Sequence, residues 1–83
     1  MDLVNLTETI IKKLVADPES VSVKEFETEE ENTIQIEVLI SADDMGRVIG
    51  KSGKTINSIR TIVAAASSLT EENKRVRINI DSY

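Results

Sequence analysis

The sequence predicts an α+β domain in which three helices cover one face of a mixed three-stranded sheet. Three observations carry this. Apolar residues recur at three- and four-residue steps in some segments and at two-residue steps in others, in the order helix, strand, strand, helix, helix, strand. Only a short acidic turn separates the first two strands, which makes them antiparallel. A long two-helix connection separates the second strand from the third, which makes that pair parallel.

From Asp2 to Ala16, the residues Leu3, Leu6, Ile10, Ile11, Leu14 and Val15 follow the period of an amphipathic helix. Asp17-Pro18 ends it, because proline lacks the N–H that would continue the ladder and disfavours helical geometry in the residue before it. Val21 and Val23 alternate with polar residues as a half-buried strand does. Phe26 breaks the alternation and is expected in the core, at a bulge or strand end. Glu29-Glu30-Glu31-Asn32 reads as a solvated hairpin turn. Thr33 to Ile40 then sets Ile34, Ile36, Val38 and Ile40 on one face, which places this strand near the sheet centre. Ser41-Ala42-Asp43-Asp44 has the form of a capping box and opens a short helix, which Gly50 and Gly53 interrupt. Ile56, Ile59, Ile62, Val63, Ala66 and Leu69 mark a longer helix after them. Arg75 to Ile80 alternates strictly, with Val76, Ile78 and Ile80 inward, as the last strand.

The chain of 83 residues reads as a single domain, 1–83, with no internal repeat and no room for a deep catalytic cavity. It has no cysteine and no histidine, which removes disulfides, thiolate and imidazole metal sites and the common nucleophiles, so no enzyme, metal or cofactor is expected. No apolar run is long enough to span a bilayer, and no secretory signal is legible at the start, so a cytoplasmic protein is the expectation. The net charge of -5 argues at first against a nucleic-acid partner. Its distribution argues otherwise. Glutamates crowd the first half, whereas Met45 to Arg60 carries Arg47, Lys51, Lys54 and Arg60 and no acid. Screening over a Debye length of about 8 Å lets such a strip act apart from distant acids.

Within the strip, Gly50-Lys51-Ser52-Gly53 joins two helices. Two glycines three apart let the backbone turn sharply with no side chain in the way, and the next helix turns its first unpaired N–H groups toward the loop. Lys51 and Lys54 add charge there. Val48, Ile49 and Ile56 offer an apolar floor for unstacked bases, and Arg47 and Arg60 stand at the margins. A nucleotide-binding P-loop is excluded by spacing, since the position that must hold its first glycine is Met45. A Gly-x-x-Gly is often merely a turn, and four bases over two helices are often a solvated face. Element order, flanking isoleucines and the acid-free strip together favour the binding reading.

The run Val48-Ile49-Gly50-Lys51-Ser52-Gly53-Lys54-Thr55-Ile56 resembles the I-G-x-x-G-x-x-I signature of the KH domain, and the element order resembles its type II form. With Gly46-Arg47 before it and Ser58 to Val63 after it, the whole chain resembles the small stand-alone bacterial KH proteins of the KhpA family. That resemblance implies a non-catalytic protein that binds single-stranded RNA through its loop, as KH loops clamp about four nucleotides of backbone. It further implies a role as RNA chaperone or post-transcriptional regulator linked to cell elongation and division. The partners it implies are a second copy in a homodimer, or a second KH protein, KhpB, also called Jag or EloR. The acidic stretch Glu25 to Glu31 is not part of the signature.

Phe26 and Tyr83 are the only aromatic residues and neither is near the loop, so stacking adds little and a lone domain is expected to bind weakly. Pairing of domains would raise avidity. On the longer helix, Ile56, Ile59, Val63 and Ala66 point into the sheet, while Ile62, Ala65 and Leu69 widen the apolar arc beyond a core stripe and are the candidate dimer edge. A dimerisation adaptor with little RNA affinity of its own is the competing reading.

Overall fold

A computed structural model describes residues 2–83. Helix α1 (Leu3–Leu14) is capped by the Asp2 side chain, which accepts from the Asn5 N–H, and a 3₁₀ turn at Pro18–Ser20 follows it. Strands β1 (Ser22–Glu27) and β2 (Thr33–Ile40) form the hairpin; α2 (Met45–Ile49) and α3 (Lys54–Ser68) make the crossover; β3 (Arg75–Ser82) closes the chain. The sheet order is β1-β2-β3, antiparallel on one side of β2 and parallel on the other. These are the order and the pairing that the turn and crossover lengths predict.

The two-residue period of β2 places Ile34, Ile36, Val38 and Ile40 on the helical face, where all four are buried. Ile11 of α1, Val48 of α2, Ile56, Ile59 and Val63 of α3 and Ile78 of β3 join Ile36, Val38 and Ile40 in one core cluster. Each such side chain contributes roughly 1.5–3 kcal/mol by leaving water.

Two local expectations are corrected. Phe26 is 51% exposed, and the β1–β2 register runs without a slip from Ser22 opposite Leu39 to Glu27 opposite Ile34, so no bulge forms. Glu25 and Glu27, on the opposite side of the strand, are exposed as well. Val23 is the buried residue of β1, and Phe26, an odd three residues on, stands on the other face of the sheet, which carries no helix, beside Lys24 and Leu39. The capping box does not form either: Ser41 makes no capping hydrogen bond, and a 3₁₀ turn at Ala42–Asp44 leads into α2. Asp44 is taken by a more distant partner.

Candidate nucleic-acid interface

That partner is the end of α1. The Asp44 carboxylate, 1% exposed, accepts the N–H of Ala16 at 2.9 Å and of Asp17 at 3.1 Å, and it pairs with Arg47 Nη1 at 3.1 Å. The Ala16 amide holds its pKa below the usual carboxylate value of 3.8; the Asp17 amide and Arg47 add to this, against the opposing effect of burial. A single carboxylate thus ties the helix that leads into the loop to the end of α1. Arg47, expected at the margin of an RNA site, also donates to the Asp43 carbonyl, so its charge is largely turned toward this anchor.

Beyond α2 the backbone turns through three positive-φ residues. Gly50 has φ 75° and ψ 176°, a region open essentially to glycine alone. A Cβ there would overlap the Thr55 hydroxyl and lie 2.8 Å from the Thr55 Cβ. Ser52 (φ 57°, ψ 26°) and Gly53 (φ 76°, ψ 12°) are left-handed, and two successive turn hydrogen bonds, from the Gly53 N–H to Gly50 O and from the Lys54 N–H to Lys51 O, close the Lys51–Gly53 segment. The two glycines therefore differ. Gly50 packs inward, while a Cβ on Gly53 would meet nothing closer than Asn57 Nδ2, at 3.9 Å.

The glycine amides are not the free donors. The N–H of Gly50 donates to Gly46 O at 3.0 Å and that of Gly53 to Gly50 O at 3.2 Å. The amides ahead of the turn's first hydrogen bond are those of Lys51 and Ser52, and no side chain caps the start of α3. Lys51, Ser52 and Lys54 are exposed, and among the described residues neither lysine enters an ion pair. Unspent amides, the positive end of a 15-residue helix and two free ammonium groups converge on one open surface.

Val48 and Ile56, expected as floor for bases, belong to the core instead, at 0% and 4% exposure. The helical period that puts them at the signature positions is the one that turns them toward β2. Their part is to hold the loop in place. Ile49 is half-buried against the core. Arg60 reaches away from the loop to β3, where Nη2 and Nε donate to Ile78 O at 3.1 and 3.3 Å, and its Nη1 donates to Asn57 Oδ1 at 3.1 Å. Asn57 escapes a reading based on charge. Its position four residues after Gly53 and three before Arg60, on one face of α3, is the signal that points to it. Ile62, Ala65 and Leu69 are exposed along α3, Ile62 at 48% and Leu69 at 81%.

Two helices joined by a Gly-x-x-Gly turn between parallel strands, with a helix and a strand ahead of them, constitute a type II KH domain. The family model described as "KhpA/KhpB, KH domain" matches residues 4–80. The chain is similar to "RNA-binding protein KhpA" of Clostridium perfringens, 47% identical over 75 residues that cover 90% of this chain and 95% of that one. The protein of the same name from Streptococcus pneumoniae serotype 4 is 40% identical over 77 residues, 93% and 91% of the two chains. No solved structure matches significantly. The chain belongs to the KhpA/KhpB KH-domain family.

Proposed function

We propose that the chain binds single-stranded RNA, with the sugar-phosphate backbone lying on the Lys51–Gly53 turn and bases extending along α3 toward β3. The observation that carries this is the turn itself. Its unspent Lys51 and Ser52 amides sit beside an open Gly53 and two unpaired lysines, at the uncapped start of α3. Kinship with proteins named for RNA binding supports the same reading. Within it, the protein serves as an RNA chaperone or post-transcriptional regulator linked to cell elongation and division.

The test pairs Lys51→Asp with Ser52→Asp. Both side chains are exposed, so the fold stands, while affinity for a short single-stranded RNA falls on the order of a hundredfold as two charge-assisted contacts are lost. Wild-type binding weakens with salt at a log-log slope of roughly -0.7 per phosphate held. Undiminished affinity in the double variant would refute the site.

A second reading rests on the exposed Ile62 and Leu69. In it the α3 edge pairs with a second copy or with KhpB, and the domain acts mainly as a dimerisation adaptor. Sedimentation of wild type and Ile62→Asp decides this: a wild-type dimer that the substitution dissociates supports pairing, and a wild-type monomer at high concentration removes it.

A further inference from the structure

The Arg60–Asn57 pair lies beyond the phosphate-holding turn and does something a phosphate contact does not need. β3 is an edge strand. Arg75 donates its N–H to Asn32 O at 2.8 Å and Tyr83 donates its N–H to Ile40 O at 3.2 Å, so the odd-numbered residues of β3 turn their backbone groups toward the β2 side. Because alternate residues of a strand face opposite neighbours, Val76, Ile78 and Ile80 turn theirs to the open edge. Arg60 covers that edge at its middle by placing two donors on the Ile78 carbonyl.

A guanidinium carries five N–H donors in a rigid plane. Two are held by Ile78 O and one by Asn57 Oδ1, which fixes the plane and leaves two donors unspent. The same bond occupies Asn57 Oδ1, so what Asn57 presents outward is its amide N–H groups, on the side of Gly53. Gly53, Asn57 and Arg60 follow one another at four- and three-residue steps along a single face of α3, a track of about 10 Å leading away from the turn. From Gly53 to Arg60 the side-chain groups open along that track are the donors of Asn57 and Arg60. Of the acceptors beside them, Asn57 Oδ1 and Ile78 O are engaged, and the Thr61 hydroxyl, which donates to Asn57 O, lies past Arg60 at the far end.

We propose that Asn57 and Arg60 form a base-reading subsite that selects guanine in the strand held by the Lys51–Gly53 turn. The proposal rests on the RNA-binding reading above and deepens it. A surface made of donors favours a base edge made of acceptors. Guanine presents O6 and N7 side by side, the pair that arginine reads bidentately. Adenine sets its N6 amine next to N7 and so points a donor at donors. Uracil separates its two carbonyl oxygens with an N–H. Cytosine has adjacent acceptors at N3 and O2, but O2 lies beside the sugar. Arg60 is already immobilised by Ile78, so little side-chain freedom remains to be lost when the base arrives.

The experiment measures anisotropy of labelled octauridylate and of three versions with one central uridine replaced by guanosine, adenosine or cytidine. The guanosine strand is expected to bind on the order of tenfold more tightly than the all-uridine strand. Arg60→Lys keeps the charge but not the planar fork, and it lowers affinity for the guanosine strand about tenfold more than for octauridylate. If Arg60→Lys fails to fold, Asn57→Ala tests the same subsite and reduces the guanosine preference about threefold. Lys51→Asp with Ser52→Asp lowers all four affinities together. Equal binding of the four strands by wild type overturns the subsite and leaves RNA binding standing. An equal loss on all four strands from Arg60→Lys overturns it in favour of a phosphate contact. No binding of any strand overturns the RNA reading itself, and the subsite with it.

Discussion

The turn at Lys51–Gly53 and the hairpin turn between β1 and β2 sit at opposite ends of β2, and both pass through left-handed backbone, at Ser52 and at Asn32. Yet they are chemically opposite. The hairpin closes on itself: the Thr28 hydroxyl donates to the Glu30 and Thr33 carbonyls, the Asn32 side chain donates to Asn73 O, and Glu30 pairs with Arg77. The Lys51–Gly53 turn leaves its leading amides and its lysines unspent and stands at the start of a long helix. Turn geometry alone is therefore no sign of a phosphate site. What distinguishes the turn proposed to hold phosphate is donors left over once the turn has been made, with positive charge beside them.

The largest expected effect breaks the loop side of this comparison. Gly50→Ala forces a side chain into the Thr55 hydroxyl at a φ that only glycine tolerates, and is expected to cost about 2–4 kcal/mol in urea unfolding. Gly53→Ala meets open space and incurs the left-handed penalty alone, about 1 kcal/mol. Equal costs for the two would show that the glycines do not play distinct parts.

Acid gives a smaller and more local effect. The folded-state pKa of Asp44 lies below its unfolded value, so its stabilisation is complete above about pH 4–5 and is lost as pH falls through 3.8 toward the folded pKa. Asp44→Asn is expected to be less stable than wild type at pH 7, with the gap narrowing in acid as thermal melts are taken toward pH 2. A gap that does not change with pH would deny that the ionised carboxylate forms the anchor. Hydrogen exchange in Asp44→Asn is expected to rise in α2 and the Lys51–Gly53 turn and to stay unchanged in the hairpin.

The smallest effect sharpens the hairpin side. Eight residues of β2, roughly 26 Å at a strand's rise, separate the hairpin from the Lys51–Gly53 turn, about three Debye lengths at physiological salt. Glu29→Lys with Glu31→Lys is accordingly expected to change RNA affinity less than about threefold at that salt, and more at low ionic strength. A large gain at physiological salt would mean that the strand touches both ends of the domain.

What the sequence disclosed and what it withheld divide along a physical line. The period of Ile34, Ile36, Val38 and Ile40 and the lengths of the two connections suffice for strand order and pairing, because regular elements declare their buried face. Phe26 was misplaced because its size outweighed that period: counted from buried Val23, it falls on the helix-free face of the sheet, where a large apolar residue stands outside the core. Val48 and Ile56 were legible as part of the signature but not as core, since a motif records which residues occur together and not which way they face. Asp44, Asn57 and Arg60 were least legible in their roles. The chain separates Asp44 from Ala16 by 28 positions and Arg60 from Ile78 by 18, and only the folded arrangement makes them neighbours.

Arg60's hold on Ile78 has one more consequence. The rim of a sheet invites a passing chain to zip onto it, and a guanidinium seated on the middle carbonyl interrupts the row that such a chain needs. The residue proposed to recognise a base would then also keep copies of the protein from stacking into fibrils. Losing it would register as turbidity in storage as well as in a binding curve.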